Sequence, residues 1–271
     1  MSLDSFLLRL ATESACLLSV HGARGSVPRE KGAWMAVFAE GALGTIGGGH
    51  LEFAAMAQAR ERLAGGTGEA LVRYPLGPSL GQCCGGELQL SFELVTAADI
   101  AALRQRLSVD HPPLALFGGG HVGQALVQVL SRLPLKLSWI DSRDEIFPAE
   151  LPAGIVCLHS DPVQAEVACL APGSRVLIMS FSHAEDLEVV AACLMRQRLH
   201  ADLPYVGLIG SKTKWATFGH RLAARGFSAQ EIAHVTCPIG IPGVHGKEPE
   251  VIAVAVAAQI LQSLSGSRRA A

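Results

Sequence analysis

The chain has 271 residues, 49% hydrophobic and 17% charged, with a formal net charge of −2 and a pI near 6.5. Its basic residues are dispersed, which gives no footprint for nucleic acid, and no uncharged apolar run reaches the roughly 20 residues a membrane helix needs. At about 100–200 residues per domain, the length suggests two domains.

From the amino terminus, MSLDSFLLRLATES reads as a short amphipathic helix with Leu3, Phe6, Leu7 and Leu10 on one side, rather than as a secretion signal. Apolar runs with strand character follow at ACLLSVHGA, AWMAVFAEG and ELQLSFELV. A helix is predicted from about Leu51 to Leu63, with Phe53, Met56 and Leu63 among its apolar positions. This half, residues 1–107, reads as a small α+β domain. A helical pattern from Asp99 to Leu107 runs into LSVDHPP, whose two prolines mark a linker at 108–113. Residues 114–271 then alternate strand and helix: LALF, a glycine turn, QALVQVLSRL, LKLSWI, and further strand candidates at GIVCL, RVLIMS and YVGLIG. That alternation predicts an α/β fold, a Rossmann-like parallel sheet with helices on both faces.

Gly118, Gly120 and Gly123 fit G-x-G-x-x-G between a strand and a helix, and Asp141 closes the next strand about 20 residues on. The expected placement is a turn at the carboxyl end of the first parallel strand, with Asp141 at the end of its neighbour. In such a fingerprint the glycines admit a pyrophosphate to the helix N-terminus, and the carboxylate can accept from a ribose hydroxyl. The plain alternatives are a tight strand-to-helix corner and an ordinary turn aspartate.

A second glycine constellation, GTIGGGHLE, brings Gly47, Gly48 and Gly49 to a helix start, where exposed N–H groups suit a phosphate. Upstream, GSVPRE sets Arg29 in a turn fixed by Pro28, where a guanidinium can pair with phosphate or carboxylate. In IGSKTK, Ser211 and Lys212 can meet a phosphate at a helix start, or Ser211 or Thr213 can simply cap the helix.

The seven cysteines are an odd number. Without a secretion signal they point to a reducing cytoplasm. Cys83 and Cys84 are adjacent, and consecutive Cα atoms about 3.8 Å apart fall short of the roughly 4.4–6.8 Å an unstrained disulfide spans. Cys16, Cys157, Cys169 and Cys193 lie in apolar patterns and are expected to pack; Cys237 precedes Pro238 in a loop. Zinc is set aside, because no second C-x-x-C or H-x-x-x-H pair completes four ligands. His21, His50, His121 and His183 stand near glycine turns, where a histidine is more often structural than a ligand.

In chain order, GSVPREKGAWM, GTIGGGHLE, LGQCCGG, LFGGGHVGQAL, WIDSR, LIGSKTK and CPIGI with GKEPEVIAVAVAAQIL resemble the xanthine dehydrogenase accessory proteins of the XdhC/CoxI type. The resemblance implies a family-specific amino-terminal domain, a carboxy-terminal Rossmann domain, and a chaperone rather than a catalyst. Such a protein would bind molybdenum cofactor (molybdopterin), protect it, assist its sulfuration and insert it into an apo molybdenum hydroxylase such as the xanthine dehydrogenase large subunit. A cysteine desulfurase and a second copy of the chain, in a homodimer, are the further partners implied. Soft thiolate suits molybdenum, and Cys84 is the favoured ligand, helped by N–H groups of Gly85 and Gly86 or a nearby arginine; Cys83 would assist or carry sulfur. A nucleotide or NAD(P) remains a candidate for the Rossmann domain. Two other readings stay open: an NAD(P)-dependent oxidoreductase, and a redox or sulfur-carrying protein centred on Cys83 and Cys84.

Overall fold

The structure, a computed structural model, describes residues 3–76, 85–152 and 154–268. The chain divides into two compact units, Met1–Val109 and Asp110–Ala271. Cys83 and Cys84 lie outside the described residues.

The first unit runs α1 (Leu3–Leu10), β1 (Ala15–Arg24), β2 (Trp34–Val37), β3 (Ala42–Gly44), α2 (Gly49–Leu63), β4 (Leu71–Pro75), β5 (Glu87–Val95) and α3 (Ile100–Leu107). Its antiparallel strands are ordered β3-β2-β1-β5-β4. β1 is apolar and buried over Ala15–Leu18 and at Val20, where both sheet faces are covered. Cys16, Leu18 and Val20 join the cluster under α2, whereas Ala15 and Leu17 join Phe6, Leu7, Leu10 and Leu103 from α1 and α3. The buried stripe of α2 is Leu51, Ala55 and Ala59, spaced i,i+4. Phe53, expected among the apolar positions of that helix, points to solvent and is 78% exposed. α3 starts behind a short 3₁₀ turn at Ala97–Asp99, which Thr96 and Asp99 close with a capping box.

The second unit contains β6 (Pro113–Phe117), α4 (His121–Leu130), β7 (Lys136–Asp141), β8 (Ile155–His159), β9 (Arg175–Ile178), α5 (His183–His200), β10 (Tyr205–Leu208), α6 (Lys212–Ala224), α7 (Ala229–Ile232), β11 (Val235–Thr236) and α8 (Pro249–Arg268). All six strands are parallel, ordered β11-β10-β9-β6-β7-β8. The order reverses between β6 and β9, which places the topological switch point there. Alternation along β6 sends Ala115 and Phe117 to the cluster shared with α5 and α6, and Leu114 and Leu116 to the one shared with α4 and α8. PEVIAVAVAAQIL buries Ala253, Val256, Ala257 and Ile260 within its own unit and leaves Val254 and Leu261 exposed. No described helix is long and apolar enough to cross a membrane.

Candidate functional site

In the second unit, chemistry-bearing residues gather at the carboxyl ends of β6, β7, β9 and β10. The turn after β6 is held on three sides. Gly118 N–H donates to the Ile140 carbonyl at 2.8 Å, and Trp139 Nε1–H donates to the Gly118 carbonyl at 3.0 Å. With φ at +119°, Gly118 passes so close to the exit of β9 that a Cβ would lie 1.9 Å from the Met179 carbonyl oxygen. Gly123 lets α4 settle on the turn, since a Cβ there would lie 2.1 Å from the Gly118 oxygen. Gly120 faces open space and starts α4 as its N-cap.

Asp141 ends β7, beside the turn, and is 1% exposed. Its Oδ2 accepts from Gly119 N–H at 2.6 Å and from Arg143 Nη2 at 2.9 Å. Oδ1 accepts from the backbone N–H and the Nε of Arg143, both at 2.9 Å. Burial by itself raises the Asp141 carboxyl, but the Arg143 guanidinium and the two backbone N–H groups outweigh it and hold the group below the ordinary carboxylate range. Four donors match the roughly four lone-pair sites of a carboxylate. No acceptor site is left for a ribose hydroxyl as the side chains stand.

Arg143 then lies 4.4 Å from the ring centroid of Phe181, which follows β9. A second tie joins the same two loops: Ser142 Oγ donates to Glu185 Oε1 at 3.0 Å, and Glu185 Oε2 accepts from Phe181 N–H at 3.2 Å. One strand further out, Lys214 Nζ donates to Asp186 Oδ2 at 2.6 Å and to the Ile209 carbonyl at 3.0 Å, while Asp186 Oδ1 accepts from Ser180 N–H at 2.7 Å. Ser180 Oγ is buried with no partner among the described residues. Ser211 caps α6 by accepting from Lys214 N–H at 3.1 Å, and Lys212 is exposed on the first turn of that helix. The inward lysine is therefore Lys214 rather than Lys212.

In the first unit, Glu52 of α2 gathers the GTIGGG loop. Its Oε1 accepts from Thr45 Oγ1–H at 2.5 Å, Ile46 N–H at 2.9 Å and Gly47 N–H at 3.2 Å. Burial works against the charge, yet hydrogen bonds from Thr45 and from the N–H groups of Gly48, Ile46 and Gly47 keep the Glu52 carboxyl below its usual range. The donors expected to face a phosphate at Gly47 and Gly48 thus turn largely onto Glu52, and Gly49 opens the helix. Gly47 abuts the upstream turn, because a Cβ on it would lie 2.4 Å from Pro28 Cγ. Gly86 abuts the end of β1, where a Cβ would lie 2.3 Å from the Ser26 carbonyl oxygen. Leu76 N–H donates to the Gly86 carbonyl at 2.8 Å, so the described residues flanking segment 77–84 are joined. A groove of about 610 Å³ is lined by Ser19, Arg29, Trp34, Thr45, Glu93 and Arg106. Arg106 is paired with Glu93, whereas Arg29 is exposed.

Segment 24–29 therefore draws together three blocks far apart in sequence: the Arg29 turn, the Gly47 loop and the Gly86 flank of the cysteine pair. Among the other thiols, Cys16 and Cys193 are buried. Desolvation pushes Cys193 up to about 12 and also raises Cys16, Cys157 and Cys237, so these four stay protonated near neutrality. Cys169, expected to pack, is exposed at the end of a 3₁₀ turn. The described residues hold no cluster of three or more His, Cys, Asp or Glu suited to a metal. Glu52, Arg143 and Lys214 escaped the sequence reading. The signals for them were weak: an acid at i+5 from a glycine, a basic residue two after a strand-end aspartate, and a second lysine in one helix turn.

These features define a two-unit protein with a Rossmann domain and a separate glycine-rich antiparallel domain. Residues 114–260 match the XdhC Rossmann domain, and residues 8–75 match the XdhC and CoxI family. The chain belongs to that family. It is similar to uncharacterized protein YqeB of Escherichia coli K12, 28% identical over 250 residues covering 88% of this chain and 41% of the relative, so it spans about two fifths of that protein's length. A crystal structure from Bacillus halodurans, described as a xanthine dehydrogenase, shares the fold with a TM-score of 0.78 and 19% identity, covering 98% of this chain and 96% of that one.

Proposed function

We propose that this chain binds molybdenum cofactor, protects it, assists its sulfuration and hands it to an apo molybdenum hydroxylase of the xanthine dehydrogenase type. Membership of the XdhC and CoxI family supports a role in xanthine dehydrogenase maturation. The observation that carries the cofactor reading is the meeting of the Arg29 turn, the Gly47 loop and Gly86, which flanks the segment bearing Cys83 and Cys84. In this reading Arg29 takes the phosphate of the pterin by charge-assisted hydrogen bonds. Cys84 supplies a thiolate to molybdenum, whose softness it matches, and Cys83 assists or carries sulfur. The protein works as a chaperone in the cytoplasm, as a homodimer, with a cysteine desulfurase as sulfur source. The oxidoreductase alternative is weakened by Asp141, whose acceptor sites Arg143 and Gly119 already fill.

The test is reconstitution. Purified chain loaded in cofactor-producing cells is mixed with apo-hydroxylase from a cofactor-deficient strain, and hydroxylase activity is followed. Activation well above that given by the same chain purified from the deficient strain is expected; equal activation by both preparations contradicts the delivery role.

A further inference from the structure

A Rossmann fingerprint normally offers two things to a dinucleotide: backbone N–H groups at the glycine turn and a strand-end carboxylate for the ribose diol. Here the second offer is closed from within the chain. Asp141 is 1% exposed, and both of its oxygens are engaged, three of the four donors coming from Arg143. The fourth is Gly119 N–H, itself one of the turn's own groups. Ile146 covers that residue, since a Cβ at Gly119 would lie 2.5 Å from Ile146 Cγ1.

The crevice beside it is bridged as well. β6 lies between β7 and β9 in the sheet. Arg143 follows β7 and stacks on Phe181, which follows β9, so the contact spans the carboxyl end of β6. The Ser142–Glu185 hydrogen bond makes a second crossing of the same gap. The span includes the β6–β9 boundary, the switch point across which a dinucleotide would lie in such a sheet.

We infer that Arg143 is a specificity-determining residue that withholds Asp141 from ribose, so that this Rossmann unit rejects NAD(H) despite carrying its fingerprint. The guanidinium is a rigid fork matched to a carboxylate, and a ligand hydroxyl would have to displace two charge-assisted hydrogen bonds to reach Asp141. The inference stands apart from the cofactor reading: it concerns the second unit and a different ligand, and each can fail without the other.

The experiment titrates NADH into the full chain, following its fluorescence and confirming by calorimetry. The wild-type chain is expected to show no saturable binding below millimolar NADH. Arg143→Ala removes the two guanidinium donors and leaves Asp141 only the backbone N–H groups of residues 143 and 119, and NADH affinity should rise by about tenfold or more, the scale of hydrogen bonds to a charged group. Adding Asp141→Asn to that variant should abolish the gain, which a merely structural role for Arg143 would not produce. Arg143→Lys keeps the charge but cannot make the fork, so it serves where the alanine variant fails to fold and should show a smaller gain. Micromolar NADH binding by the wild-type chain overturns the inference without any variant. A folded Arg143→Ala or Arg143→Lys chain with no gain overturns it too.

Discussion

Asp141 and Arg143, two residues apart, lock into one another: Nε and Nη2 each donate to a different carboxylate oxygen at 2.9 Å, against an aspartate only 1% exposed. Asp141→Asn is expected to destabilise the chain by about 2–4 kcal/mol. Breaking a buried pair costs about 3–5 kcal/mol, and the 34% exposure of the Arg143 side chain lets water recover part of it. Because the folded carboxyl lies below its unfolded value of about 3.9, the unfolded chain binds more protons between those two pKa values. The stabilisation is therefore present above about pH 4 and is lost as pH falls through the folded pKa. Urea unfolding across that range checks it: the wild type should lose more stability on acidification than Asp141→Asn.

The glycines of the fingerprint are not equivalent. Gly118→Ala places a Cβ 1.9 Å from the Met179 oxygen at φ +119° and should cost roughly 3 kcal/mol or more, or prevent folding. Gly120→Ala meets nothing within 4 Å. It should cost no more than about 1 kcal/mol. Thermal unfolding of the two variants side by side distinguishes them, and equal losses would contradict the described turn.

Neighbouring residues of α2 should behave oppositely. Glu52→Ala removes the acceptor of Thr45 Oγ1–H and of Ile46 N–H and one of the two acceptors of Gly47 N–H. A loss of about 1–3 kcal/mol is expected. Phe53→Ser, at a side chain 78% exposed, should stay within about 0.5 kcal/mol. Denaturant midpoints measure both, and a larger loss at Phe53 would put the wrong face of the helix inward.

The two lysines at the start of α6 should separate in the same way. Lys214→Met strands the carboxylate of Asp186, which is 3% exposed, and should cost about 3 kcal/mol. Lys212→Met, on the exposed first turn, should leave the unfolding midpoint unchanged. Ser211→Ala removes the cap and should cost about 1 kcal/mol.

Spacing alone located Gly118, Gly120, Gly123 and Asp141, because a βαβ corner imposes steric demands that few residues meet. The partners of Asp141 could not be read the same way: whether a carboxylate faces solvent or its own i+2 neighbour is decided by side-chain rotamers and by what Phe181 offers across the sheet. Of the apolar positions read along α2, Met56 and Leu63 pack against the core and Phe53 does not. Small alanines at 55 and 59 let the helix approach the sheet closely, and the large Phe53 was left outside. Lys212 and Lys214 are two steps apart on one helix, about 200° around its axis, so a motif containing both cannot say which turns inward. The meeting of Pro28 with Gly47 and of Ser26 with Gly86 depends on strand pairing over long separations, which no local pattern encodes.

The cofactor content of the purified chain tests the proposed function most directly. Wild type, Cys84→Ser and Cys157→Ser chains would be isolated from cells making molybdenum cofactor, and bound pterin and molybdenum quantified by mass spectrometry. The wild type and Cys157→Ser should carry pterin and molybdenum alike, and Cys84→Ser should lose most of both. A wild-type chain free of pterin, or a Cys84→Ser chain that retains as much as wild type, would contradict the thiolate-held cofactor.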